Sequence, residues 1–260
     1  MSKKFISFSG GVESTTMCIL YGKGATAIFS DGKAEHKKMY ERLNLVEQKL
    51  KQLHNGDFEL VHLNASAKYK GEYYDNLENL IVAQKYMPSG QSRFCTRQFK
   101  IEPIDKYLSQ YGECELMIGL NADEENSREG NWGLQKNVKY SYPLVDDGLT
   151  RDDCEDILDL HNLHPNMPVY MLRGGCRMCF FKSEKEYKAM YHLSNDEFNE
   201  VMAFEEHIQD RRKKFYSIMG NGKSLRQLAA QCKSEMFTDV QSLYDDYKKE
   251  GKSCGAFCRR

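Results

Sequence analysis

The sequence lacks an excess of either charge: 37 Lys and Arg stand against 38 Asp and Glu in 260 residues, a formal charge of −1. That balance removes the simple electrostatic case for a general nucleic-acid binder, while a local basic patch stays compatible with it. It also lacks any apolar run of membrane-spanning length, and the opening MSKKFISFSGG passes straight from two lysines into a strand-like stretch. The expectation is a soluble, cytoplasmic protein with no signal peptide and no membrane partner. No internal repeat, low-complexity tract or Pro-rich linker divides the chain. Hydrophobic residues reach 40%, enough for a sizeable core in one domain with an extension. Cysteine, by contrast, is plentiful. Nine cysteines are too sparse in this length for a disulfide-stapled scaffold, and an odd count points to thiols, a metal or a cluster.

The N-terminal half alternates strand-like and helix-like segments. Phe5 to Phe8, Ala25 to Phe29, Phe58 to Leu63 and Leu116 to Leu120 read as strands. Ser14 to Tyr21, His36 to Leu53 and Pro103 to Gln110 read as helices, the second with Met39, Leu43, Val46 and Leu50 at helical spacing. This alternation predicts an α/β fold, a doubly wound, mostly parallel sheet covered on both faces. Thr150 to Leu163 reads as a helix capped by Thr150, with Asp153 three positions on. PVYML reads as extended, Ser183 to Phe215 as helical, and Lys223 to Cys232 as a shorter helix. The expected division is an α/β domain over 1–175 and a mainly helical, cysteine-containing extension and tail over 176–260.

In such sheets ligands collect beyond the carboxyl ends of the strands. Three polar segments fall there: SGGVES, SDGKAEH and NADEENSREG. In the first, Gly10 and Gly11 let backbone N–H groups approach an anion, and Ser14 with the next helix's free N–H groups can complete a cradle. The segment has neither the Gly-Lys-Ser/Thr ending of the Walker loop nor a third spaced glycine. Arg93, Arg97, Lys100 and Arg128 are candidates for a cationic wall around a nucleotide anion. Asp31 and Glu35 would bind ribose or hold Mg²⁺ beside phosphates, or simply cap the following helix. Cys176 and Cys179, in GGCRMC, can share one zinc or an iron–sulfur cluster, form a redox pair, or pack as unrelated thiols. Cys18, Cys114, Cys154 and Cys232 fall within regular elements, where packing is the expectation, and His161 and His164 suit a helix end better than a metal. Tyr69, Tyr73, Tyr74, Trp132, Tyr140 and Tyr142 offer rings for stacking a base, although packing accounts for them equally well.

SFSGGVES resembles the PP-loop of the adenine nucleotide α-hydrolase-like superfamily. FSDGKAEH, SRFCTRQFKIEPI and GLNADEENSR resemble further segments of that superfamily, closest to its phosphoadenylyl-sulfate and adenylyl-sulfate reductase branch. The resemblance implies an adenine nucleotide held by Ser7, Ser9, Gly10, Gly11, Glu13, Ser14, Asp31, Glu35 and Gly119. It implies catalytic roles for Arg93, Lys100 and Arg128, and a tail thiol, Cys254, that attacks the sulfur of an activated sulfate. The branch's four-cysteine [4Fe-4S] signature, with zinc as the alternative occupant, maps onto Cys95, Cys176 and Cys179, with Cys258 or Cys254 supplying the fourth thiol. Thr96 stands in the branch's second cysteine position, Ser253 replaces the usual Glu before the tail Cys-Gly, and Leu120-Asn121 stands where an arginine is common. A thioredoxin-like thiol donor would then be a partner. The alternative within the superfamily is an ATP pyrophosphatase-type enzyme, Mg²⁺-dependent, that activates tRNA or another acceptor for sulfur or nitrogen transfer, with Arg211 to Lys214 on RNA phosphates. A third reading is a non-catalytic nucleotide- or metal-binding interaction protein.

Overall fold

The computed structural model describes residues 2–127, 135–172, 174–213 and 215–234, together with residues 242 and 245. Strand β1 (Lys3–Ser7) runs into helix α1 (Val12–Tyr21), followed by β2 (Thr26–Asp31), α2 (Lys37–Leu53) and β3 (Glu59–Asn64). A short antiparallel hairpin, β4 (Ala67–Tyr69) and β5 (Glu72–Tyr74), leads to α3 (Leu77–Gln84). Next come a single turn α4 (Phe94–Thr96), a π-helical turn (Arg97–Ile101), α5 (Glu102–Leu108), β6 (Cys114–Ile118) and β7 (Val138–Ser141). The rest is helical: α6 (Pro143–Asp146), α7 (Arg151–Leu160), α8 (Glu184–Leu193), α9 (Asn195–Arg212) and α10 (Leu225–Cys232).

The main sheet is entirely parallel, with order β3-β2-β1-β6-β7. The chain winds outward one way from β1 and then returns to add β6 on its other side, so the switch point lies between β1 and β6. That is the crevice where doubly wound sheets bind ligands. Burial follows from this layering: Phe5 and Ile6 on β1 and Ala27 and Ile28 on β2 are fully enclosed, as strands covered on both faces must be. Among the described residues no helix is long and apolar enough to cross a membrane.

The expected α/β architecture is present, with the sheet wholly rather than mostly parallel. Local differences have local causes. PVYML is not extended: Pro168 sets φ at −57° and Met171 N–H bonds back to its carbonyl at 2.7 Å, giving a 3-10 turn over Val169–Met171. The helical stretch from Ser183 is two helices, broken at Ser194 (φ −150°, ψ 70°). The Thr150 cap forms with its reciprocal Asp153 bond, and the helix ends at Leu160. Cys18, Cys114, Cys154 and Cys232 are all buried. The helical extension shares one apolar core with earlier segments: Tyr187, Phe198 and Leu228 pack in the same cluster as Leu77, Ile81 and Phe99.

Candidate nucleotide and thiol site

β1 ends at Ser7, buried, and the chain turns through Phe8, Ser9, Gly10 and Gly11 into α1. Gly10 has φ +76°, a conformation that calls for glycine, and an added methyl there would lie 2.6 Å from Met39 Sδ, which would have to shift. Ser9 and Ser14 face each other, with their Oγ atoms 3.1 Å apart and Ser9 N–H donating to Ser14 Oγ at 3.2 Å. Gly11 is the N-cap of α1 and supplies no capping side chain. The first N–H groups of that helix therefore look toward the loop for an acceptor.

Across the switch point, Gly119 meets the start of α1 so closely that an added methyl would be 3.1 Å from both the Glu13 carbonyl carbon and the Ser14 nitrogen. Glu13 is buried and engaged: Asn121 Nδ2 donates to its Oε1 at 3.2 Å and Arg151 pairs with the same oxygen. Asn121, where the resemblance leads one to look for arginine, is thus used to hold Glu13. Asp31 Oδ1 accepts from Lys33 N–H at 2.7 Å and from Tyr40 Oη at 2.9 Å, and burial foremost, then that carboxylate, pushes the Tyr40 hydroxyl well above its ordinary range.

Sequence reasoning missed Arg42. Its Nε donates to Gly10 O at 2.7 Å and its Nη2 to Thr15 Oγ1 at 3.1 Å, and only 6% of the residue is exposed. Burial lowers its pKa to about 10, so it stays protonated at neutral pH. A signal was available: position 42 lies on the stripe formed by Met39, Leu43, Val46 and Leu50, and a cation on a core-facing stripe calls for an explanation.

The cysteines named from the sequence are brought together from far apart. Cys95, Cys176 and Cys179 line one largely apolar pocket with Thr96, Phe99 and Lys100. The π-helical turn carries Lys100 to within 3.4 Å of Glu35 Oε1, and Ser30 Oγ braces that turn by donating to Phe99 O at 2.8 Å. Such turns are frequent at functional sites. Glu35 forms an isolated antiparallel bridge to Cys176, and His36 N–H donates to Gly175 O at 2.6 Å. His36, itself buried, reaches Glu197 on α9 at 3.0 Å, and Tyr170 Oη donates to the same carboxylate at 3.1 Å. The turn before Cys176 is therefore tied to both α2 and α9. Burial foremost, then Glu35, pushes the Cys176 thiol up to about 12. Arg93 is half-buried, its guanidinium 5.1 Å from the Phe181 ring centre. Lys182, also not foreseen, is buried behind the pocket and donates to Tyr170 O at 3.0 Å.

Among the described residues no group of three His, Cys, Asp or Glu side chains is placed to hold a metal ion. The three thiols share a pocket without forming, among the described residues, a ligand set for zinc or an iron–sulfur cluster. Arg128, Cys254, Cys258 and Trp132 lie outside the described residues. Of the basic stretch, Arg212 is 5.1 Å from the Tyr86 ring centre, a packing contact, and Lys214 lies outside the described residues.

The two clusters adjoin. Met39 Cε lies 3.6 Å from where a methyl on Gly10 would sit and 3.2 Å from the corresponding point on Gly175. One side chain thus separates the serine–glycine loop from the turn that carries Cys176. A parallel sheet with a PP-type loop at its switch point defines a nucleotide-binding α/β protein. Within that class, the chain belongs to the phosphoadenosine phosphosulfate reductase domain family, whose model matches residues 3–146, more than half its length. No curated protein matches the sequence.

Proposed function

We propose that this protein is an enzyme acting on nucleotide-activated sulfate, with the adenine nucleotide's phosphate on the Ser9–Ser14 loop and its sulfur end directed toward Lys100 and the cysteine pocket. The observation that supports this reading is the adjacency through Met39, within one side chain of both Gly10 and Gly175. A thiolate attacks the sulfur, the S–O bond to the phosphate breaks, and its electron pair leaves on AMP or adenosine bisphosphate. The sulfonate stays on the attacking sulfur until a thiolate of a thioredoxin-like dithiol attacks that sulfur. Sulfite leaves with the bonding pair, and the donor's second thiol resolves the mixed disulfide, releasing the enzyme thiol and an oxidised donor. Cys254 is the proposed attacking residue, on the resemblance of its Cys-Gly segment to the one that carries the attacking thiol in the reductases. Lys100 and Arg93, with Arg128, would offset the charge that gathers on the leaving phosphate.

The test is to incubate the full chain with adenylyl sulfate or its 3′-phosphorylated form and a dithiol donor. Nucleotide release and sulfite are then measured for wild type, C254S and K100M. Turnover of one sulfonucleotide, lost in C254S and lowered by about tenfold to a thousandfold in K100M, is expected. If neither compound is consumed while ATP releases pyrophosphate, the substrate is ATP and the proposal is wrong.

A further inference from the structure

Arg42 is a buried cation whose charge no described residue balances. No carboxylate pairs with it among the described residues, and burial is the sole cause of its lowered pKa. Enclosing a guanidinium without an anion is costly. The side chain is spent instead on two successive peptides of the loop. Its Nε holds Gly10 O directly. Its Nη2 holds Thr15 Oγ1, and that hydroxyl donates in turn to Gly11 O at 2.7 Å.

In a planar trans peptide the carbonyl and the N–H point in opposite directions. Fastening Gly10 O fixes the direction of Gly11 N–H. Fastening Gly11 O, which also accepts Thr15 N–H at 3.1 Å and Ser14 Oγ at 3.3 Å, fixes that of Val12 N–H, and the Arg42–Thr15 contact reinforces it. Loop carbonyls would repel an anion, and both of these are turned away and occupied. Gly11 N–H has only a loose contact, with Ser9 Oγ at 3.4 Å. Val12 N–H opens α1 and has no acceptor within the helix.

We propose that Arg42 is a positioning residue for phosphate: from behind the loop it orients and polarises the Gly10–Gly11 and Gly11–Val12 peptides, and the nucleotide's phosphate is its missing counter-charge. This rests on the reading of the loop as the phosphate site and extends it to a residue outside the loop. The chain thereby obtains a fixed cation for its loop without the lysine a Walker loop carries.

The test is calorimetric titration of the full chain with AMP and with adenosine, for wild type, R42K, R42M and T15V. Wild type should prefer AMP. In R42M the AMP affinity should fall by about tenfold or more, as expected for loss of a charge-assisted contact, with adenosine affinity unchanged. R42K should fall between, since one ammonium cannot hold both peptides, and T15V should shift AMP affinity the same way by less. T15V and R42K keep the test open should R42M not fold. An AMP preference that survives in R42K and T15V, and in R42M if it folds, overturns the role of Arg42 alone. Equal affinity of wild type for AMP and adenosine overturns the phosphate-site reading and this role with it.

Discussion

Substituting Gly175 by alanine should weaken the protein through one identifiable atom. Gly175 is not among the glycines of positive φ, so an alanine is acceptable to the backbone and would by itself stabilise slightly through the unfolded chain. The obstacle is space, because the new methyl would lie 2.1 Å from Glu35 Oε2 and 3.2 Å from Met39 Cε. Methionine can shift by that amount, whereas Glu35 is held by Lys100 at 3.4 Å, and its backbone is bridged to Cys176. Its carboxylate must swing away from Lys100, or the bridge must open. With Lys100 27% and Glu35 10% exposed, loss of the pair should cost about 1–2 kcal/mol, between the values for surface and buried pairs. For a chain of this size that is roughly 2–8 °C in Tm. Thermal denaturation of wild type, G175A, E35A and the double variant closes the cycle. With Glu35 shortened, G175A should cost less than about 0.5 kcal/mol. An equal cost in both backgrounds would refute the assignment of the clash to Glu35.

Other outcomes follow from the same geometry. Arg151→Met should destabilise by about 1–3 kcal/mol because Glu13, 5% exposed, would keep only Asn121; restoration by an added E13Q, read from urea midpoints, checks the cause. Glu205 is fully enclosed and accepts Ile218 N–H at 2.8 Å and Leu225 N–H at 2.7 Å, one on each oxygen. E205Q should therefore cost about 1–3 kcal/mol, since an amide NH₂ would face one of those donors. Burial raises the Glu205 pKa above its ordinary 4.5, so the unfolded chain releases this proton first. Its contribution to stability is greatest below that value and declines as pH rises through the folded-state value, a slope that should flatten in E205Q when urea midpoints are compared across pH.

The serine–glycine loop between β1 and α1 was legible in the sequence as a candidate site because glycines and serines between an apolar strand and a helix have few other uses. The parallel α/β sheet followed from the alternation of elements, but β7 did not: Val138–Ser141 is a short edge strand with only Val138 buried, and too little pattern to register. The hairpin Ala67–Tyr74 escaped for a similar reason, although Lys70 and Gly71, both at positive φ, mark its turn. The meeting of Cys95 with Cys176 and Cys179 came from family resemblance, since no local spacing rule connects residues so far apart. Arg42 was hidden by the habit of assigning charges to the solvent face, and its partners are backbone atoms of a distant loop, which leave no mark in composition. Asn121 illustrates the converse: its position drew notice for the arginine it is not, while its contact with Glu13 needed coordinates.

Among the described strands, β1 comes earliest in the sequence and lies at the centre of the sheet. β1 pairs with β2 on one side and with β6 on the other, Ser7 opposite Ile28 and Ile118. During synthesis its first edge is covered soon, but the second stays open until more than a hundred further residues have emerged. Such late, non-local pairing slows folding and leaves an unpaired edge open to the wrong partner. Deleting Lys3–Ser7 would likewise split the sheet through its middle and unseat the loop that joins β1 to α1.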